Sequence, residues 1–256
     1  TLAKEERNRQ EEENVAASLL LLALSESCEC NSDALQAALD DALLPGETVR
    51  VGQQRAGDGW GAVLLDGRAL VDVPDGESDD LQGLLFPGAF NPPHRGHLKM
   101  AEIAEARTGK KLAWETCLQN ADKPPLDWIA VAGRLAGLRA VDARRPIVLS
   151  SDAKFVEKAL SWPGATFVVG VDTLTRIAEP RFYDDAAARH AALAQLREQG
   201  VRLLVFGREV DGVFLELDDL ELPSELCALC DGVDEGEFRD DVSSSALRGV
   251  SEPPIL

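Results

Sequence analysis

From Leu84 onward the chain alternates short, uninterrupted apolar runs with longer stretches in which apolar positions recur every three to four residues. The runs fall at 84–87, 112–114 or slightly longer, 147–149, 166–171 and 202–206, and the helical stretches between them at 97–107, 126–140, 153–160 and 184–198. A strand that is apolar at every position is buried on both faces, and strands separated by helices pair in parallel. The pattern therefore predicts an α/β domain, a doubly wound parallel sheet with helices on both faces. Such sheets bind ligands beyond the carboxyl ends of their strands.

The first third reads differently. Residues 2–24 form one predicted helix, polar at first and then apolar at Val15, Leu19 and Leu22, which share a face. Ser32 and Asp33 are caps for a second helix at 34–44, which Pro45-Gly46 ends. Two helices do not bury a core of their own, so this region leans on the rest or is the end of something larger. Runs of β type follow at 48–51, 62–65 and 69–73, the last two around Asp66-Gly67, a pair that favours a tight hairpin. The acidic stretch 75–80 suits an exposed linker. Three regions result: a helical segment (1–48), a β-hairpin with linker (49–83) and the α/β domain (84–256).

Composition narrows the functional classes. With 45 acidic and 26 basic residues the net charge is −19, which argues against a nonspecific nucleic-acid binder or an anionic-membrane binder. The charge is uneven. Residues 84–208 carry 18 basic and 13 acidic side chains, while 1–83 carry 6 and 18 and 209–241 carry 1 and 13. A locally positive stretch in an acidic protein suits a small anionic substrate, or is an ordinary mixed surface. The longest mainly apolar stretch, 15–24 with Ser18 inside it, is half the roughly 20 residues of a membrane-spanning helix. Cys28, Cys30, Cys117, Cys227 and Cys230 are odd in number and no secretory signal is visible, so reduced thiols and a cytoplasmic location are expected. A four-thiolate zinc site built from the two close pairs is the alternative.

The chemistry concentrates after the first strand of the α/β domain, in Phe86-Pro87-Gly88-Ala89-Phe90-Asn91-Pro92-Pro93-His94-Arg95-Gly96-His97. Gly88 lets backbone approach a phosphate, and the two His sit where a helix begins and N–H groups point outward. Two imidazoles three residues apart can both donate to oxygens around one phosphorus, where charge develops during displacement. From the 3 His and 21 Gly present, H-x-G-H arises by chance about 0.003 times. The bland alternative is a pair that merely caps or packs. A metal site is not predicted, because no carboxylate or third His stands at matching spacing and His190 falls in an Ala-rich helical stretch of the surface.

G-x-F-N-P-x-H-x-G-H after a strand resembles the signature loop of the nucleotidylyltransferase superfamily, which includes nicotinamide- and nicotinate-mononucleotide adenylyltransferases, cytidylyltransferases and phosphopantetheine adenylyltransferase. Val242-Ser243-Ser244-Ser245-Ala246-Leu247-Arg248 is similar to that superfamily's I-S-S-T-x-x-R element, and Val169-Gly170-Val171-Asp172 to the G-x-D turn of its mononucleotide adenylyltransferases. The resemblance covers about residues 84–249. It implies a Rossmann-like fold, an NTP substrate, a phosphate-bearing small-molecule acceptor, Mg²⁺ and release of pyrophosphate. Residue by residue it implies that His94, His97 and Arg248 are catalytic. It places Phe86, Gly88, Ala89, Phe90, Asn91 and Gly96 in the nucleotide loop, Gly170 and Asp172 at the ribose, and Ser243, Ser244 and Ser245 at the β- and γ-phosphates. Independently of the family, a Ser cluster followed by Arg at a helix start is a phosphate site or a simple cap. Lys123, after the second strand, and Arg208, after the fifth, are point charges within reach of a phosphate or solvated cations.

Two departures stand out. The Trp that the family often carries shortly after G-x-D is replaced here by Phe182 and Tyr183 as the nearest aromatics, and Ser245 stands where Thr is usual. G-x-D points to ATP, with CTP as the alternative within the class. A nucleotide-binding regulatory or scaffold module without turnover is the alternative outside it. Residues 2–24 are also similar to the closing helix of the competence-damage-inducible A C-terminal domain, which would make this chain the remainder of a longer fusion.

Overall fold

The computed structural model describes residues 6–50, 52–72, 81–119, 124–210 and 212–240. The chain divides into two compact units, the first ending at Gln53 and the second beginning at Gln54. In the first, α1 (Arg9–Ser27) is opened by a reciprocal cap. The Glu11 N–H donates to the Asn8 side chain at 3.0 Å, and the Asn8 N–H donates to the Glu11 carboxylate at 2.9 Å. Val15 and Leu22 of α1 pack with Leu39 of α2 (Asp33–Ala42). That is a small core, and Leu20, Leu21 and Leu24 remain exposed.

The second unit begins with a correction. Where alternation predicts a hairpin about Asp66-Gly67, residues Trp60–Asp66 form a helix, α3, and Gly67 at φ 66° ends it. A left-handed Gly serves a hairpin turn and a helix C-terminus equally well, and the spacing of Trp60, Val63 and Leu64 decides for the helix. All three pack into one apolar cluster with Leu149 and Val131. The strand that follows, β1 (Leu70–Asp72), pairs antiparallel with β4 (Ile147–Ser150) rather than with the segment before it.

Then come β2 (Leu84–Pro87), α4 (Arg95–Thr108), β3 (Leu112–Cys117), α5 (Trp128–Val141), β4, α6 (Phe155–Ser161), β5 (Thr166–Gly170), α7 (Val171–Ala178), α8 (Ala186–Glu198) and β6 (Arg202–Phe206). A short hairpin, β7 (Arg208–Val210) with β8 (Val213–Leu215), precedes α9 (Ser224–Cys227) and β9 (Cys230–Val233). The seven-stranded sheet has the order β1-β4-β3-β2-β5-β6-β9, parallel except for β1. This is a Rossmann-like α/β fold. Successive residues serve opposite faces, as the pleat requires. Leu85, Phe167, Val169, Leu203 and Val205 join one core, while Leu84, Phe86, Val168, Leu204 and Phe206 join the other. Strands β2, β3 and β4 progress to one side and β5, β6 and β9 to the other, so the strand order reverses between β2 and β5. A crevice opens at such a reversal, beyond the carboxyl ends.

At the opposite end of the sheet, Arg145 bridges Glu105 at 2.6 Å and Asp142 at 2.7 Å, and the Trp114 indole N–H donates to Asp142 at 3.1 Å. Burial pushes both carboxyls up, but the Arg145 hydrogen bonds outweigh it and hold them below their ordinary values of 4.5 and 3.8. A depressed folded pKa means that the stability these groups add is full above the ordinary values and lost as pH falls through the lowered ones. Urea unfolding between pH 5 and pH 3 should therefore show a fall in stability that is shallower in Arg145→Met. An equal fall in both proteins would remove this network as its source.

Candidate active site

The motif loop leaves β2 at the reversal point. The Gly88 N–H donates to the Glu115 carbonyl of β3 at 3.0 Å, which carries the pairing one residue past the strand. A Cβ at Gly88 would lie 2.6 Å from Cζ of Phe90, so what the missing side chain admits is the Phe90 ring. Phe90 takes the left-handed conformation, φ 44°, and folds back into the core. Its ring meets Trp114 at 5.1 Å and Phe86 at 5.5 Å, both nearly edge to face.

Above these aromatics sit the two imidazoles. His94 is the N-cap of α4 in extended conformation, and His97 lies in its first turn. The rings stack with centroids 3.7 Å apart, and Phe86 and Phe90 stand edge to face with His97 at 5.8 and 5.2 Å. The His94 backbone N–H donates to Nδ1 of His97 at 3.1 Å. An Nδ1 that accepts carries no proton, so neutral His97 holds its proton on Nε2 and is a donor there. Burial, and then the neighbouring His94, push the His97 pKa down to about 3. Burial likewise lowers that of His94, whose Nδ1 is enclosed without a hydrogen-bond partner among the described residues.

Because the lowered pKa favours the neutral ring at every pH above it, ¹⁵N–¹H spectra of the three histidines from pH 8 to pH 5 should show His97 neutral and Nε2-protonated throughout. Titration near 6.5 would contradict the burial and the backbone hydrogen bond together. His190, by contrast, is an exposed side chain of α8 beside Glu225 at 3.2 Å.

Gly96 is buried in the first turn of α4, where a Cβ would lie 3.1 Å from the His94 ring and 3.4 Å from the Asp240 carboxyl. Gly170 ends β5, and a Cβ there would meet Asp172 at 2.6 Å. Asp172 in turn pairs with Arg208 across the ends of β5 and β6 at 3.1 Å, and the charge of Arg208 is felt at His94. Ala89 and Asn91 are exposed on the loop. Lys123, Ser243, Ser244, Ser245 and Arg248 lie outside the described residues. Asp240, beside the His pair and 3.3 Å from Arg95, is three positions before Ser243.

Sequence reasoning missed a cavity of about 230 Å³ that shares Gly88 and Ala89 with the loop but not the imidazoles. Phe155, Ile177, Phe182, Tyr183 and Leu196 give it apolar and aromatic walls, and Glu115 and Lys158 line it too. Glu115 is 1% exposed and Lys158 4%, with Nζ 2.5 Å from Oε1. The signal in the sequence is Glu115 itself, an acid directly after the apolar run 112–114, which is costly inside a parallel strand unless something uses it. Among the described residues no three His, Cys, Asp or Glu side chains gather as a metal site requires, and the five cysteines are free thiols. No described helix is long and apolar enough to cross a membrane.

Comparison with known proteins agrees with this layout. The family described as cytidylyltransferase-like matches residues 85–250. A protein of Gloeobacter violaceus, described as a probable nicotinate-nucleotide adenylyltransferase, is 39% identical over 75 residues, which are 24% of this chain and 36% of that protein. The chain thus matches about a third of that relative's length.

Proposed function

The chain belongs to the cytidylyltransferase-like family, and from that membership we propose that it is a nucleotidylyltransferase, moving a nucleoside monophosphate from an NTP to a phosphate-bearing small molecule. The observation that carries the proposal is the stacked imidazole pair at a helix start on the sheet's reversal point, with His97 held as a neutral Nε2–H donor. An oxygen of the acceptor phosphate attacks the α-phosphorus. A new P–O bond forms there, the α–β P–O bond breaks, and pyrophosphate leaves with the electron pair. No protein nucleophile is required.

In this reaction the protein positions and stabilises charge. His97 donates to an α-phosphate oxygen while its own proton stays in place, and His94 stands beside it at the mouth of α4, whose first-turn N–H groups favour an anion. The pair formed by Asp172 and Arg208 lies at the neighbouring strand ends, where the resemblance puts the ribose. Ser243, Ser244, Ser245 and Arg248 are proposed to bind the outer phosphates. Lys123 is proposed as an auxiliary charge.

The described residues do not build a cage for Mg²⁺. A magnesium ion in such a site is held chiefly by substrate phosphates and water with one or two carboxylates, and it would supply charge neutralisation on the triphosphate. ATP is the proposed donor, on the G-x-D turn and on the name of the Gloeobacter relative, with CTP as the alternative. A cytoplasmic location is part of the same proposal.

The test is pyrophosphate release with ATP or CTP, Mg²⁺ and a panel of acceptors: nicotinate and nicotinamide mononucleotides, phosphopantetheine and simple phosphate esters. Release that depends on one acceptor supports the proposal. Nucleotide binding without release across the panel would favour a regulatory or scaffold module instead.

A further inference from the structure

Glu115 is an unusual wall for a binding cavity. Its burial in the carboxyl half of β3 is offset at one oxygen only, where the Lys158 ammonium lies 2.5 Å from Oε1 and the Ser150 hydroxyl donates to the same atom. The other oxygen, Oε2, is enclosed and has no hydrogen-bond partner among the described residues. A buried acceptor left unmade is costly, and a ligand that brings a donor removes that cost. Lys158 is already committed to the carboxylate, so the two together present no net charge to what enters, and what this pair leaves unfilled is a lone pair on Oε2. A neutral donor completes it, whereas a second carboxylate sets oxygen against oxygen where screening is weak.

The cavity's size and walls fit the ring end of an acceptor. Phe155, Phe182, Tyr183 and Ile177 supply flat and apolar surface, and Gly88 and Ala89 join the cavity to the loop that carries the imidazoles. Arg134 and Arg176 line the same space: Arg134 has a partner, but its Nε is enclosed with no hydrogen bond among the described residues, and Arg176 lies over the Phe182 ring at 5.4 Å. They are the groups from which an anionic ring substituent would gain, so the experiment must set Glu115 against them.

We propose that this cavity selects an acceptor whose ring carries a neutral hydrogen-bond donor, such as a carboxamide, over one carrying a carboxylate, and that Glu115 is the residue that makes the distinction. The proposal rests on the transfer reading above, because it takes the cavity to be the acceptor's.

Nicotinamide and nicotinate mononucleotides differ in that one group and are the probes. Their binding, measured by calorimetry in the presence of a non-hydrolysable ATP analogue, reports selectivity without needing turnover. The amide is expected to bind at least about 10-fold more tightly, and Glu115→Gln, which offers its own donor, to bring the two within about 3-fold or invert them. Should that variant not fold, Glu115→Gln with Lys158→Gln removes both charges together and carries the same expectation. Equal or tighter binding of the carboxylate by the unaltered protein overturns the proposal, and so does a preference unchanged in a folded variant. Binding of neither mononucleotide also overturns it, and pyrophosphate release with the other acceptors then decides the transfer reading on its own.

Discussion

His97→Ala is expected to release pyrophosphate about 10²–10³-fold more slowly than the unaltered protein while staying folded. That is the usual cost of deleting one fixed donor aimed at developing charge. The magnitude is large because this donor is prepared in advance. Its tautomer is set by the His94 N–H on Nδ1, its charge state by burial, and its plane by the edge-to-face contacts with Phe86 and Phe90. Removing the ring takes away all of that preparation at once, and water cannot replace it in the same orientation. The measurement is initial rate at saturating ATP and acceptor, with a melting curve to confirm folding. Turnover within about 3-fold of normal would remove His97 from the chemistry.

Phe90→Ala should destabilise the α/β unit by about 3–5 kcal/mol, the range found when a buried aromatic is cut back to Ala. Phe90 is 2% exposed, touches Phe86, Trp114 and His97, and holds a left-handed backbone that Ala would inherit without the ring contacts that stabilise it. Denaturant unfolding measures the loss, and a change below about 1 kcal/mol would mean that the loop collapses without cost. The same geometry predicts coupling. Gly88→Ala alone forces a Cβ into the Phe90 ring and should cost about 1–3 kcal/mol by overpacking, yet in the Phe90→Ala background it should cost little. Activity should fall in Phe90→Ala too, because His97 loses one of the two rings that orient it.

The sheet was legible because its strands are short, wholly apolar and punctuated by helices. The runs 84–87 and 202–206 coincide with β2 and β6. The misreading at 62–65 arose where four apolar residues fit either period and only tertiary burial of Trp60, Val63 and Leu64 chooses between them. Strand β9 was missed because Cys230-Asp231-Gly232-Val233 has no apolar run; it joins the sheet through its backbone and an ion pair from Arg202 to Asp231. In the site, the contiguous motif announced itself. The cavity did not, since Glu115, Lys158 and Phe182 are brought together only by the crossovers of the fold.

The short antiparallel strand β1 carries a consequence for anyone dividing this protein. The motifs begin at the first parallel strand, and a fragment started there would keep every residue assigned to chemistry. It would also strip the outer side of β4, leaving a row of unpaired N–H and C=O groups beside Ile147, Val148 and Leu149. A bare apolar edge is a template on which a second molecule can add its own strand. Three residues, Leu70–Asp72, fastened by Arg139 to Asp72 at 2.7 Å, thus act as a guard against self-association.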